Sequence, residues 1–232
     1  MLQIFFLGAA IWFIWKCVKA FRTQFAKRGG SLAAYKLGPA KNWALALAPP
    51  MAFQAISDGF ADSELPEPTD DLATSLRPMA LHQFGLRTDL NDNTVRQQLP
   101  ELLRTRWWSL DLAALHADDD PRAAMAFACV RVAFFVRTAA MLGWLSADQQ
   151  WTILNNNAVR ARECFGSWHD FAHAYVQGRQ QWVAHSRADA LGSMLTHEAV
   201  DQWLADTKHP WNAWAWRTEP AQPLAQGAIA GA

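Results

Sequence analysis

Positions 2–15 form an uncharged and strongly apolar run, with Gln3 as its polar member. At about 1.5 Å per residue this run makes roughly 21 Å of helix, which is short of the about 30 Å hydrocarbon core of a bilayer. Val18 and Phe21 lengthen the apolar face, and the ammonium groups of Lys16 and Lys19 can reach toward the headgroups. The pattern therefore predicts a helix that spans a membrane once.

Eight apolar and two basic side chains make up the predicted anchor: Leu2, Phe5, Phe6, Ile11, Trp12, Phe13, Ile14, Trp15, Lys16 and Lys19. More basic residues follow directly, at Arg22, Lys27 and Arg28. Because cytoplasmic flanks of membrane spans are enriched in Lys and Arg, this order predicts a single pass through the inner (cytoplasmic) membrane with the body in the cytoplasm.

Two other interpretations of the apolar run stay open. A cleaved signal peptide requires basic residues before the run and small residues at a cleavage site, whereas here the basic residues come after it. A helix lying in the membrane interface would place Val18, Phe21 and Phe25 on one face and the cations opposite. The single span accounts best for the apolar length and the position of the cations together.

Beyond the anchor, apolar residues recur with helical spacing and turn residues separate the segments. The fold is therefore predicted to be all-α, with a compact multi-helix domain behind an N-terminal apolar anchor helix. The predicted parts are a membrane anchor with a basic flank (1–28), a linker with a short helical segment (29–71), an all-helical domain (72–216) and a flexible tail (217–232).

The most apolar part of the predicted domain begins after three consecutive aspartates. Asp118–Asp120 followed by Pro121 is typical of a helix start, because carboxylates and proline are favoured there. The helix is predicted to run to Gly143 with few polar residues besides Arg131 and Arg137. Two arginines near a bilayer centre would be costly, which favours a buried central helix over a second span. Their guanidinium groups then need partners inside the fold.

Two further helices are predicted to follow in close succession. Ser146 and Gln149 have the spacing of a capping box, which predicts a helix to about Phe165. Ser167 is predicted to start the next helix, from Trp168 to about His185. On that helix four side chains lie within roughly 60° of one another, namely Trp168, Tyr175, Arg179 and Trp182. A later helix is predicted from about Arg187 to Ala205.

The formal net charge of zero conceals an uneven distribution along the chain. Residues 1–57 contain seven Lys or Arg and no acidic residue, whereas the remainder carries 14 basic and 21 acidic residues. An acidic body makes nucleic acid an unsuitable partner. The three cysteines lack the spacing of a disulfide framework or a zinc site, and no phosphate-binding or dinucleotide-binding glycine motif is present, so no cofactor is predicted.

Several separate motifs between residues 131 and 216 resemble a bacterial family known as domain of unknown function 1266. They are the paired arginines Arg131 and Arg137 leading to Leu142–Ser146, the Ser-Trp motif in Cys164–Phe171, the Tyr-x-x-Gly-Arg motif Tyr175–Arg179 with Trp182, and the closing motif His209–Trp216. Their order and spacing carry the resemblance, which extends less strongly back to Leu81–Leu86. The resemblance implies an all-helical domain and no particular activity. One departure is that Phe127 and Ala128 stand where the family usually has Trp-Asp.

The candidate ligand-binding residues are those of the arginine and aromatic motifs: Arg131, Arg137, Trp168, Tyr175, Arg179 and Trp182. Arginines on apolar helices can converge on a phosphate or carboxylate through bidentate contacts. Alternatively they hydrogen-bond loops and stack on tryptophan faces, which holds the helices together. Gly178 agrees with the second interpretation, since a glycine inside a helix usually marks a close helix–helix approach. The many tryptophans are predicted to fill the core with their indole N–H groups hydrogen-bonded.

A metal site is the alternative reading of His169 and His173. Their i, i+4 spacing places both imidazoles on one helix face, as two-histidine metal sites require. Helical periodicity puts this face on a solvated flank, and a third ligand such as His197 or Glu198 would have to come from the following helix. No metal is favoured from the sequence.

These observations favour a membrane-anchored helical binding or interaction module on the cytoplasmic face, with the membrane as one partner and a protein as a possible second. Two alternatives stay open. One is a hydrolase or transferase acting on an anionic substrate through an arginine and histidine pocket. The other is a toxin-type effector or its neutralising partner.

Overall fold

The computed structural model describes residues 37–55, 70–105, 112, 115–185 and 195–217. The predicted anchor and most of the predicted tail lie outside these ranges. The described residues form nine helices and no strand, which confirms the all-helical class. The helices are α1 (Pro39–Leu45), α2 (Pro49–Ala55), α3 (Asp70–Gln83), α4 (Asp92–Thr105), α5 (Pro121–Met141), α6 (Ala147–Cys164), α7 (Trp168–Ala184), α8 (His197–Ala205) and α9 (Pro210–Ala213).

Polar side chains fix the start of several helices at the positions that the sequence predicts. The Asp120 carboxylate accepts a hydrogen bond from the backbone N–H of Arg122, with Pro121 as the first helical residue of α5. Ser146 and Gln149 form a complete capping box at α6. Ser167 caps α7 by accepting from the N–H of Asp170. Each cap satisfies N–H groups that lack partners within the helix.

Helix α5 is the centre of the fold and packs against α2, α3, α6 and α7. It is long and apolar enough to cross a membrane by length and composition, but 94 % of its most apolar stretch is buried inside the described fold. This confirms the prediction of a buried central helix. Both of its interior arginines are buried with it, Arg131 at 6 % and Arg137 at 1 % exposure.

Helices α5 and α7 approach each other closely at Gly178. A Cβ atom added at Gly178 would lie 2.1 Å from the carbonyl oxygen of Ala123 and 3.1 Å from Cβ of Phe127. No side chain fits at that distance, so glycine is required for the two helices to touch. The expectation from the sequence is confirmed here.

The short helices α1 and α2 belong to the same core. Trp43 and Leu47 are fully buried, and Trp211 donates its indole N–H to the carbonyl oxygen of Ala46 over 2.7 Å. The apolar segment that begins at Trp43, which the sequence analysis assigns to the linker region, therefore packs into the same core as the later helices.

Helix α4 continues through Pro100, from Asp92 to Thr105. One helix prediction needs correction. Helix α8 begins at His197, not near Arg187, because Leu195 and Thr196 are not helical and Thr196 caps the helix by accepting from the N–H of Ala199. Residues 186–194 lie outside the described part of the chain.

Candidate functional site

Arg131 lies between α3 and α7, where its guanidinium contacts a glutamine of α3, a tryptophan of α7 and a phenylalanine of its own helix. Its guanidinium donates to Oε1 of Gln83, near the C-terminus of α3. The same group lies 4.6 Å from the ring centre of Trp182 and 5.5 Å from that of Phe127. Gln83 belongs to the weaker part of the family resemblance, Leu81–Leu86. A neutral amide thus partners this arginine in a chain whose residue 128 is alanine, where the family usually has aspartate.

Arg137 lies in a different environment on the same helix. Its Nη1 donates to Oε1 of Gln150 over 2.9 Å, and its guanidinium lies 5.5 Å from the ring centre of Trp151. Both partners belong to the first turn of α6. In these contacts the two arginines meet different partners, and each joins α5 to a different neighbouring helix.

Trp168 lies in a cluster of tryptophans at the N-terminal end of α7. Its ring centre is 5.0 Å from that of Trp43, 5.8 Å from Trp211 and 4.7 Å from Trp216. The indole N–H groups of Trp168, Trp211 and Trp216 donate to the carbonyl oxygens of Trp214, Ala46 and Phe165. For these three residues the predicted core role, with bonded indoles, is confirmed. We call Trp43, Trp168, Trp211 and Trp216 the tryptophan cluster.

Tyr175 and Trp182 follow on the same stripe and share one partner, Phe127 on α5. The ring of Tyr175 lies 5.8 Å from Phe127, and that of Trp182 lies 5.5 Å from it. Tyr175 is fully buried, whereas Arg179 and Trp182 are half-buried. Burial along the stripe thus decreases from the start of α7 toward its end.

A cleft opens where α7 ends beside the start of α5. Its lining is Leu115, Asp119, Ala124, Phe127, Gly178, Gln181 and Trp182. The floor is apolar because of Ala124, Phe127 and Gly178. Two hydrogen-bond acceptors lie in this lining, the Asp119 carboxylate and Oε1 of Gln181. Oε1 of Gln181 is buried, and the described residues give it no hydrogen-bond donor.

Two histidines hold the Asp119 carboxylate at the edge of this cleft. The backbone N–H of His116 donates to Oδ2 over 2.9 Å, and Nε2 of His185 lies 3.1 Å from Oδ1. The imidazoles of His116 and His185 stack with ring centres 3.5 Å apart. The N–H of His116, and next the side chain of His185, lower the pKa of Asp119, so this carboxyl is ionised near neutral pH.

The sequence analysis missed the cleft acceptors and their histidine partners. Asp119 was interpreted as a helix-start carboxylate, and His185 as a helix end. They are 66 residues apart along the chain, and no local periodicity joins them. The sequence marks Asp119 as part of a helix start and His185 as a helix end, but only the packing of α7 against α5 brings the two side chains together.

Two histidines near the start of α7 meet α8, at the end of α7 away from the cleft. His169 is exposed and His173 is partly buried, with their ring centres 4.3 Å apart. Nδ1 of His173 lies 2.7 Å from Nδ1 of His197, and Nε2 of His173 lies 3.0 Å from Oδ1 of Asp201. Helix α8 thus contributes His197 and Asp201 to this face. Glu198 interacts instead with the start of its own helix, where a hydrogen bond with the Thr196 side chain lowers the pKa of its carboxyl group.

Two other titratable side chains are closed off by packing. Burial raises the pKa of the Cys129 thiol to about 12, so this sulfur stays protonated. Burial also lowers the pKa of His209 to about 3, and its ring stacks on Trp203 next to the tryptophan cluster. Neither group is available for chemistry with a solute near neutral pH.

Together these features define an all-helical domain whose central arginine-bearing helix packs against its neighbours, with open polar groups at both ends of α7: the cleft at its C-terminal end and the histidine face at its start. A family model described as protein of unknown function (DUF1266) matches residues 59–216. That match covers more than half of the chain, so the protein belongs to this family and the resemblance noted in the sequence is confirmed. Comparison with curated proteins and with solved structures gave no match.

Proposed function

We propose that the protein is a membrane-held binding module that takes up a basic side chain of a partner protein in the cleft at the end of α7. The observation that carries this proposal is the pair of acceptors in that cleft. An ionised carboxylate, Asp119, and a buried amide oxygen of Gln181 without a donor face an apolar floor. A buried acceptor without a donor is costly, and a ligand N–H group would satisfy it.

A cationic donor fits this pair better than an anion does. Lysine ammonium and arginine guanidinium groups carry only donors, and their apolar stems can lie along the rings of Phe127 and Trp182. The negative balance of charge beyond residue 57 would also attract a basic partner over a longer range. The free space in the cleft is about that of one water molecule, so it suits the donor group at the tip of one side chain and not a large ligand.

Membrane attachment is the second part of the proposal. Because α5 is buried in the core, the apolar run at positions 2–15 is the segment left to hold the chain to a bilayer. With basic residues following that run, the body would face the cytoplasm. In this arrangement the acidic helical body binds its partner close to the cytoplasmic surface of the inner membrane.

Binding is tested with the purified full-length chain and two probes, a short lysine-containing peptide and inorganic phosphate. We expect the peptide to bind, and Asp119→Asn to weaken its binding roughly ten- to a hundredfold, since a charged hydrogen bond contributes roughly 1.5–3 kcal/mol. Asp118→Asn is the matched control, because Asp118 is an exposed neighbouring carboxylate outside the cleft lining. Equal losses of peptide affinity in Asp119→Asn and Asp118→Asn would mean that the peptide is attracted by the overall negative charge and not bound in the cleft. Phosphate binding that depends on Arg179 would favour the anionic ligand instead.

Attachment is tested by fractionating cells that express the full chain or a version lacking residues 2–21. We expect the full chain in the membrane pellet, resistant to high salt and released by detergent, and the shortened chain in the supernatant. Protease added to intact spheroplasts should leave the body uncut. A full-length chain that stays soluble would overturn this part while leaving the cleft proposal open to its own test.

A second candidate, a hydrolase or transferase, is favoured by the His185–Asp119 pair. A carboxylate bonded to one imidazole nitrogen orients the ring for general base catalysis at the other. Turnover of p-nitrophenyl phosphate or p-nitrophenyl acetate that disappears in His185→Gln, and persists in His82→Gln on the surface of α3, would establish it.

A further inference from the structure

The face between α7 and α8 carries a second polar group that the cleft does not use. Helix α7 presents His169 and His173, and helix α8 presents His197 and Asp201. Each pair has i, i+4 spacing, so each lies on one face of its helix. The two pairs come from separate helices and meet only because α8 packs on α7.

Three of these side chains offer one ligand atom each within a small space. The ligand atoms of His169, His173 and Asp201 all lie within 4.8 Å of one another, the one such group of three found among the described residues. Ligands of a tetrahedral zinc ion at about 2.0–2.1 Å stand roughly 3.4 Å apart. Exposed and half-exposed side chains reach that spacing by small rotations about their χ angles.

The fourth side chain, His197, has a different place. Nε2 of His173 faces Asp201, whereas its Nδ1 faces Nδ1 of His197 at 2.7 Å. One ring nitrogen of His173 is thus on the side of the carboxylate, and the other is fixed by a hydrogen bond from or to a second imidazole. Metal-bound histidines commonly have their second nitrogen held in this way, which sets the tautomer and the orientation of the ring.

We propose that His169, His173 and Asp201 form a binding site for a divalent transition-metal ion, with zinc as the expected ion and His197 as the residue that positions His173. Two imidazoles and one carboxylate are ligands that suit zinc and its neighbours better than magnesium or calcium. Three protein ligands leave at least one coordination position for water or a ligand. The ion would join the first two turns of α7 to α8, at the end of α7 opposite to the cleft.

The site would also fasten α8 to the body. Without an ion, two hydrogen bonds between the His173 ring and side chains of α8 connect the two helices on this partly exposed face, and water competes with both. A bound ion stabilises the folded state by mass action, so the melting temperature should rise with zinc concentration. The proposal is independent of the cleft, because none of its residues lines that cleft.

The test uses the full-length chain, purified without a histidine tag and freed of metal by chelation. Zinc is added in a calorimetric titration, and cobalt is added separately so that its visible absorption reports the ligand field. We expect one ion per chain and a zinc-dependent rise in melting temperature. His169→Ala and Asp201→Asn should each weaken zinc binding at least about tenfold. His197→Ala, which removes the residue that orients His173, should weaken zinc binding less than either of these variants does.

His82→Ala is the matched control, since His82 is an exposed histidine on α3 outside this face, and it should bind zinc as the unaltered chain does. Circular dichroism without metal shows whether each variant is folded. Failure of the unaltered chain to bind zinc would overturn the proposal. So would zinc binding that persists unchanged in His169→Ala and Asp201→Asn, because the ion would then be held elsewhere, for example by a cysteine.

Discussion

One stripe of α7 carries aromatic side chains at both ends of the helix, but those at the start are buried in the core and those at the end are partly exposed to solvent. At the first turn, Trp168 is 5 % exposed and packs within the tryptophan cluster, with its indole N–H bonded to a carbonyl oxygen. At the last turns, Trp182 is half-buried, Val183 is exposed, and the cleft acceptors lie alongside. The same periodicity therefore places structural residues at one end and solvent-facing groups at the other, and only tertiary packing distinguishes them.

Replacing the two tryptophans one at a time is the most direct way to break this comparison. Trp168→Ala removes a nearly buried indole and should reduce the free energy of unfolding by about 3–5 kcal/mol. Trp182→Ala removes a half-buried ring and should cost roughly half as much. Urea unfolding followed by circular dichroism measures both. Equal losses would show that the end of α7 is as much part of the core as its start.

The middle of α7 separates the two ends, and Gly178 controls it. Gly178→Ala should destabilise the protein by about 2–3 kcal/mol, because the new Cβ would overlap the backbone of Ala123 and push α7 away from α5. Helix propensity alone would give the opposite sign, since alanine is favoured over glycine in a helix by about 1 kcal/mol.

Gly166→Ala is the matched control for this substitution. A Cβ atom at Gly166 would meet its nearest neighbour at 3.9 Å, in ordinary contact, so little change is expected there. A stabilising effect of Gly178→Ala would mean that α5 and α7 are farther apart in solution than the structure places them.

The closed character of the tryptophan-cluster end also predicts a pH dependence. The pKa of His209 is about 3 in the folded protein and near 6.5 in the unfolded chain, so the unfolded state binds more protons between these values. Stability contributed by the neutral ring is therefore complete above pH 6.5 and decreases as the pH falls toward 3. The slope is at most about 1.4 kcal/mol per pH unit.

His209→Asn keeps a capping side chain on α9 and removes the titrating ring. Between pH 6.5 and 5, before most carboxylates titrate, the unfolding free energy of this variant should change less than that of the unaltered chain. The measurement is urea unfolding at a series of pH values. Parallel curves for the two proteins would show that His209 is open to protons in the folded state.

Much of the helical framework could be predicted from local signals. Caps at Asp120, Ser146 and Ser167 act within four residues of the chain, and the sequence alone indicates them. The burial of α5 followed from the cost of placing Arg131 and Arg137 in a bilayer. Both inferences rest on interactions whose partners are near in sequence or on the energetics of a single helix.

Contacts between distant segments could not be predicted in the same way. Gln83 meets Arg131 across 48 residues, and Asp119 meets His185 across 66. Periodicity placed Arg131, Trp168 and Trp182 among candidate ligand-binding residues, but it carries no information on which neighbouring helix each one faces. The ligand role of these residues stays a prediction, and their packing contacts are what the structure adds.

The smallest effect concerns the salt bridge that fastens the first turn of α7 to α5. The Asp170 carboxylate accepts from the guanidinium of Arg122 and, over 2.9 Å, from the N–H of Gly166, and these contacts lower its pKa. Both ionic side chains are partly exposed, so water and salt screen their attraction. Asp170→Asn should therefore cost only about 1 kcal/mol, and a double-mutant cycle with Arg122→Gln isolates the ionic part. A coupling energy that persists in 1 M salt would show that solvent and ions are excluded from this ion pair. The start of α7 would then differ from the cleft end even in its surface contacts.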